Sequence, residues 1–341
     1  MKVARVLGSA LAGACLAMGA AGADQVQMQM PAYSLPQEVV SDATAFEAFM
    51  ASAARIDAGF SDGDAVGNGL KTAAAYEPSQ LEEGMVAYAA IIALQDPRFV
   101  AGVDHAAGQG DERAAFAEQL VQDPFSITQV DGADEAARSI EAALGGKASA
   151  LLRAGAQVTL AAYSVQHQGW SQAAVADPES RLADVKARSQ SRAAPSDDDN
   201  QAMLAAVTSG DLGAGGGDAA PGVTPIEARA LALAAESVLG RAHGVDRDRL
   251  RPLFSEVDSA ECLRIAKLNL YQCMAVAGPQ YEDIYCMGQH ALTDTAQCVA
   301  SAAHGQTQVA SEAEPPPADQ PPAVQAYVRV AARQSSKPDP N

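Results

Sequence analysis

The sequence predicts an all-α protein, and three features predict it. Alanine supplies 76 of the 341 residues; it is the best intrinsic helix former and buries little area per residue. Aromatic residues make up only 5%, with Trp170 the one tryptophan, and long alternating runs of Val, Ile and Thr are absent, which argues against a β-sandwich or barrel. Helix-start chemistry recurs: Asp96-Pro97, Asp123-Pro124 and Asp177-Pro178 each place a capping carboxylate before a proline at the first helical position. The architecture expected is a multi-helix array followed by a disulfide-stapled helical hairpin module. Its core is made of many thin helix contacts in place of a few large anchors.

Residues 1–23 have the form of a secretory signal peptide. Lys2 and Arg5 make a positive start, and Val6 to Ala20 is apolar but too short and alanine-rich for a stable span. Ala21-Gly22-Ala23 is a small-x-small cleavage site, so the mature chain is expected to begin at Asp24. Cys15, after Leu11-Ala12-Gly13-Ala14, is the competing lipoprotein site, with one residue too many before the cysteine. Export places the protein in the periplasm or outside the cell, where thiols oxidise. No later segment reaches 18 apolar residues, so no membrane span is expected in the mature chain.

An N-terminal helical region is expected over 24–190. An extended lead from Pro31 to Pro36 precedes a helix capped by Asp42 or Thr44 and running to about Ala58. Ser61 to Gly69 reads as a loop rich in Gly and Asp. Ser79 and Glu82 form a capping box for a helix through Leu94, with Met85, Tyr88 and Ile92 on its buried side. Gln95 to Asp104 aligns without gaps with Gln122 to Asp131 at a spacing of 27, the pattern of an internal helical repeat. A longer helix is expected from Lys147 to His167, with Leu151, Val158 and Val165 on one face. Residues 191–224 carry the run Asp197 to Asp199 and a glycine-rich stretch from Gly213 to Gly217, and predict a flexible linker with a short helix near Met203 to Val207. A four-cysteine helical module follows over 225–304. Residues 305–341 form a Pro-rich tail expected to be disordered, with an apolar patch, Val324 to Val330, as a candidate for docking onto the body.

Cys262, Cys273, Cys286 and Cys298 lie within 37 residues, and an even set in an oxidising compartment is a disulfide framework. Asp258 and Glu261 cap a helix that stops before Gly278-Pro279. The next helix starts with Pro279 and carries Tyr281, Ile284 and Tyr285, and Thr293 or Asp294 kinks it or opens a third piece. Residues facing each other in an antiparallel hairpin have a constant sum of positions. Cys273 with Cys286 gives 559 and Cys262 with Cys298 gives 560, whereas the other cross pairing gives 548 and 571. The third connectivity joins 262 to 273, but eleven residues of helix span about 16 Å and bridged Cα atoms must lie within about 7 Å. The expected ladder is 262–298 outside and 273–286 inside, with 286–298 left open as an alternative by a helix break at Thr293.

This hairpin resembles the twin-cysteine coiled-coil-helix–coiled-coil-helix architecture, although its internal spacings are ten and eleven residues where that family has nine. A second resemblance rests on Ala266-Lys267-Leu268-Asn269-Leu270-Tyr271-Gln272-Cys273, continuing through Gly278-Pro279-Gln280-Tyr281-Glu282-Asp283 to Cys286, and on Leu94-Gln95-Asp96-Pro97 and Tyr163-Ser164-Val165-Gln166-His167-Gln168. These segments resemble a family of uncharacterised exported bacterial proteins with a C-terminal four-cysteine helical module. The resemblance covers most of the mature chain; it implies export and kinship and brings no activity with it.

Charge and chemistry narrow the function. Beyond residue 23 the chain holds 21 basic and 42 acidic side chains, a surface that repels phosphate backbones, so no nucleic-acid partner is expected. Cys286 and His290, four apart and joined by Cys273, have the spacing of a metal site, but a disulfide and a surface histidine are the expected state, with no metal. Gly63 to Thr72 departs from a phosphate loop because Lys71-Thr72 follows Leu70 and no strand precedes it. Asp62 and Asp64 lack the last acidic ligand of a calcium loop, and His105, His167, His243 and His304 are scattered. No cofactor is expected. Ala234-Ala235-Glu236-Ser237-Val238 resembles the catalytic-acid helix of lytic transglycosylases, so an envelope peptidoglycan hydrolase with Glu236 as acid is the alternative function. The function expected first is a non-catalytic binding or scaffolding module of the cell envelope, with an envelope protein of unspecified identity as partner. Tyr281, Ile284 and Tyr285 are its candidate contact surface.

Overall fold

Helix caps divide the first third of the chain into five helices: α1 (Gln37–Ala53), α2 (Gly63–Ala73), α3 (Pro78–Ala93), α4 (Pro97–Ala106) and α5 (Asp111–Gln122). A 3-10 helix (Pro124–Gln129) leads into the longest helix, α6 (Ala133–Val165), followed by α7 (Gly169–Gln172), α8 (Pro178–Gln190) and α9 (Asp197–Ser209). The last third contains α10 (Pro225–Val238), α11 (Arg247–Phe254), α12 (Val257–Val276), α13 (Gln280–Cys286), a π-helical segment (Met287–Asp294) and α14 (Thr295–His304). The computed structural model describes residues 35–209, 222–242 and 247–304, and among them there are helices and no named strand. The expected signal peptide, Cys15, the Gly213–Gly217 stretch, His243 and the tail expected to be disordered lie outside the described residues.

Two helices are buried on nearly every side and so have to be surrounded. α3 buries thirteen of its sixteen residues, and α10 buries twelve of fourteen. α1, α6, α10, α11 and α12 all pack against α3. α6, thirty-three residues long, carries the C-terminal elements along its flank: α13, the π-helical segment and α14. Backbones touch where that segment crosses it. A Cβ on Gly288 would sit 2.6 Å from Thr159 N, and one on Gly155 would sit 3.0 Å from Gly288 O. Only glycine allows this approach, and Thr293 Oγ1 donates to Gly288 O at 2.9 Å, across the wider π turn. No single helix among the described residues is long and apolar enough to cross a membrane. α3 and α4 reach that composition only as a pair bent by 93°, and α3 is core.

Several local expectations are corrected. α1 starts at Gln37 after Pro36, five residues before Asp42, which is itself buried. The stretch from Ser61 to Gly69 is mostly helical: Asp62 caps α2 by accepting from Ala65 N at 2.8 Å. Glutamates supply two caps in place of the expected Ser79 and Asp258. Glu77 accepts from Ser79 N and Gln80 N to start α3, and Glu256 accepts from Asp258 N and Ser259 N to start α12. Both glutamates sit one residue ahead of the helix with extended backbone, so the longer side chain reaches the same amides a shorter cap would.

The aligned segments 95–104 and 122–131 do not fold alike. Asp96 opens an α-helix, whereas Asp123 opens the 3-10 turn, and Arg98 ties the two together by pairing with Asp131 at 2.7 Å. α6 runs fourteen residues further toward the N-terminus than expected and stops at Val165. Within the expected linker, 197–209 is α9, packed on α1 with Asn200 and Met203 buried. The helices on either side of 191–224 share one hydrophobic core, because α10 needs α3 and α6 to cover it.

Candidate functional site

The hairpin is assembled from its cysteines outward. Cys262 on α12 is bonded to Cys298 on α14, with Cα atoms 5.7 Å apart, and Cys273 near the end of α12 to Cys286 at the end of α13, 5.6 Å apart. These are the outer and inner rungs of one ladder. The turn between α12 and α13 is pinned from outside. Val175 N donates to Gly278 O at 3.0 Å and Gln280 N to Ala173 O at 3.2 Å. From α8, Arg181 donates to Asp283 Oδ2 at 2.5 Å and to Met274 O at 2.8 Å. Burial pushes the Asp283 carboxyl up to about 6 although Arg181 pulls the other way.

Beside this turn lies a groove of about 330 Å³. Tyr163, Val276, Tyr281, Glu282, Tyr285 and the Cys273–Cys286 bridge form its walls. Tyr163 on α6 meets Tyr285 edge to face, with ring centroids 6.2 Å apart and planes at 80°. Tyr163 is 47% exposed and Val276 84%. Glu282 Oε2 accepts from Gly278 N at 2.8 Å, and Tyr281 OH donates to Oε1 at 3.5 Å. Desolvation and the neighbouring Tyr285 push the Tyr163 phenol above its ordinary range, so that ring stays neutral.

Of the three residues expected to meet a partner, Tyr281 and Tyr285 line the groove and are half-buried. Ile284 is a correction. It is fully buried: it lies about 60° round α13 from Tyr281 and about 100° from Tyr285, which turns it into the core. Sequence reasoning did not assign Tyr163 and Val276 to the site. The available signal for Tyr163 was an aromatic on α6 off the stripe of Leu151, Val158 and Val165.

The other candidates are absorbed by the fold. Glu236 is fully buried, and its Oε2 accepts from Arg249 at 2.6 Å. A carboxyl sealed beneath α11 and paired with a guanidinium is not placed to protonate a glycan. Cys286 is spent in a disulfide, and His290 Nδ1 lies 2.9 Å from Asp294 Oδ2. Among the described residues no three His, Cys, Asp or Glu side chains converge as a metal site. Gly63 to Thr72, which departs from a phosphate loop in sequence, is also helical, as part of α2.

A buried lysine is not marked by any motif in the sequence. Lys267 is 3% exposed; its Nζ donates to Ala74 O at 2.9 Å and Ser189 Oγ at 3.1 Å and lies 3.4 Å from the Tyr76 ring centroid. Tyr76 OH in turn bonds Thr295 Oγ1 at 2.7 Å. Loss of solvent drives the Lys267 amine well below its ordinary value. The signal was its register: Leu263, Lys267, Leu270 and Met274 share the buried face of α12. This cluster ties α12 to α8 and the end of α2, and the groove does not reach it.

In comparisons with known proteins, no family model, no curated protein and no solved structure matches the chain.

Proposed function

We propose that the protein is an exported, non-catalytic helical module of the cell envelope, kin to the exported bacterial proteins it resembles, and that it works by binding. The observation that carries this reading is an open groove built on a covalently stapled turn, with Tyr163 and Val276 exposed at its rim. Exposed apolar side chains rimmed by polar ones mark interaction surfaces. A wall held by a disulfide and by Arg181 loses little freedom when a ligand arrives, so more of the contact energy remains as affinity. Two bonded cysteine pairs fit an oxidising compartment. In this reading the leader is cleaved before Asp24 and an envelope component occupies the groove.

One double variant at exposed positions tests it. In cells, the wild-type protein should fractionate with the envelope and resist thiol alkylation unless first reduced. The double variant Tyr163→Ala, Val276→Glu should leave the envelope with an unchanged melting temperature. Free thiols in the cytoplasm, or a variant that stays associated, would overturn the reading.

A further inference from the structure

We infer that the groove takes a quaternary ammonium group, with the rings of Tyr163, Tyr281 and Tyr285 as its walls and the Glu282 carboxylate as its counter-charge. The inference rests on the binding role proposed above and names the ligand class for the same site. Tyr163 and Tyr285 stand at 80° to each other, so they make a corner of π-surface in place of a flat stack. Aromatic corners of this kind attract cations through the ring quadrupole, most strongly where water is partly excluded. Among the described residues, no Lys, Arg or His lines the groove, and Glu282 is its one ionisable carboxyl. The whole chain carries a formal charge of −19, which draws cations in and repels anions.

Hydrogen-bond supply decides which cation. A primary ammonium brings three donors and needs acceptors for them. Glu282 Oε2 is already engaged by Gly278 N, and Oε1 meets only the distant Tyr281 hydroxyl. Apart from Glu282, the Gln166 amide and the tyrosine hydroxyls, the lining is ring, disulfide and aliphatic surface, which offers more contact to methyl groups than to the three donors of a primary amine. A methylated ammonium has no donors to satisfy and presents an apolar surface to the rings. The volume, about 330 Å³, lies at the small end of ligand pockets and suits a head group.

The test uses the full chain with both disulfides intact. Choline is titrated beside 3,3-dimethylbutan-1-ol, its neutral isostere, and methylammonium, by calorimetry and ligand-observed NMR. Choline should bind saturably and at least tenfold more tightly than either. Glu282→Gln, which keeps the acceptor for Gly278 N, and Tyr163→Ala should each weaken choline at least fivefold without moving the melting temperature. Phosphatidylcholine vesicles separate the two sources of the group: sedimentation that choline competes away assigns a lipid head group, and choline binding without sedimentation assigns a free ion. Equal affinity for choline and the alcohol would overturn the cationic ligand while leaving an apolar binding groove. Binding of neither would overturn it too, and the fate of the binding role would then rest on the envelope fractionation.

Discussion

The α3–α10 core and the stapled hairpin hold their shape by different means. α3 and α10 are enclosed on nearly every side, and their alanines let neighbouring helices approach closely enough to exclude water from whole helices. That enclosure extends to carboxyls: Glu82, Glu227 and Glu236 are all buried there. The outer face of α12, by contrast, leaves Val257, Ile265, Leu268 and Val276 exposed. A helix with one apolar side uncovered gains less from burial, and two disulfides hold it in register instead. The difference teaches that cross-linking lets a small element keep an apolar surface free for contact while burial stabilises the rest.

Removing the cross-links is the strongest way to break this contrast. In the chain-entropy account, closing loops of 13 and 36 residues stabilises by about 3 and about 4 kcal/mol respectively. Paired Cys→Ser substitutions should cost about those amounts in denaturant unfolding. Hydrogen exchange should then show amides of 257–304 losing protection before those of α3. Equal loss in both places would mean that the hairpin and the core are one cooperative unit.

A pH titration sharpens the contrast with a smaller effect. Burial pushes Glu82 up to about 7 and Glu227 up to about 8, while Asp283 in the hairpin reaches about 6. A carboxyl raised in the folded state keeps its proton where the unfolded chain has lost it. Its stabilising contribution is full at low pH and is lost as pH rises from the unfolded value through the folded one. For the core glutamates that window runs from 4.5 to 7 or 8, and for Asp283 from 3.8 to 6. Lys267 acts in the opposite sense: its folded-state pKa is depressed, so its contribution grows as pH rises toward 10.5. Unfolding free energy should fall between pH 5 and 8, each raised glutamate contributing on the order of a few kcal/mol against the opposing Lys267 contribution. Glu227→Gln should flatten the upper part of that curve and Asp283→Asn only the part below pH 6. An unchanged profile in E227Q would remove Glu227 as the cause.

The smallest effect belongs to the exposed face. Leu268→Gln and Val257→Thr should change stability by no more than about 0.5 kcal/mol, as surface substitutions do. Differential scanning calorimetry checks this. A loss above about 1 kcal/mol would show that α12 is covered on that face and that the two regions do not differ as described.

Much of the helical framework was legible in single residues. Asp96, Asp123 and Asp177 each accept from backbone amides at a helix start, because proline and a short acid constrain the chain locally. The cysteine positions were equally legible, since hairpin geometry ties sequence sums to proximity. Caps by Glu77 and Glu256 were not, because the shorter acids and hydroxyls nearby carry the stronger local preference. Half of the candidate groove could be read from Tyr281 and Tyr285, four apart on one helix. Its other wall, Tyr163, lies more than a hundred residues away and belongs to the site only because α6 packs along α13.

The amino-acid order was enough to set the fold class, several helix starts and the cysteine ladder, all of which depend on local propensity or simple geometry. Tertiary packing alone decided that α10 joins α3 in one core, that Ile284 turns inward, and that Glu236 and Lys267 are sealed from water. It also decided that Gly155 and Gly288 meet closely enough to fix α6 beside the hairpin. The reason is physical: burial and close approach are properties of pairs of surfaces, and a chain's local pattern names the surfaces without saying which will be pressed together.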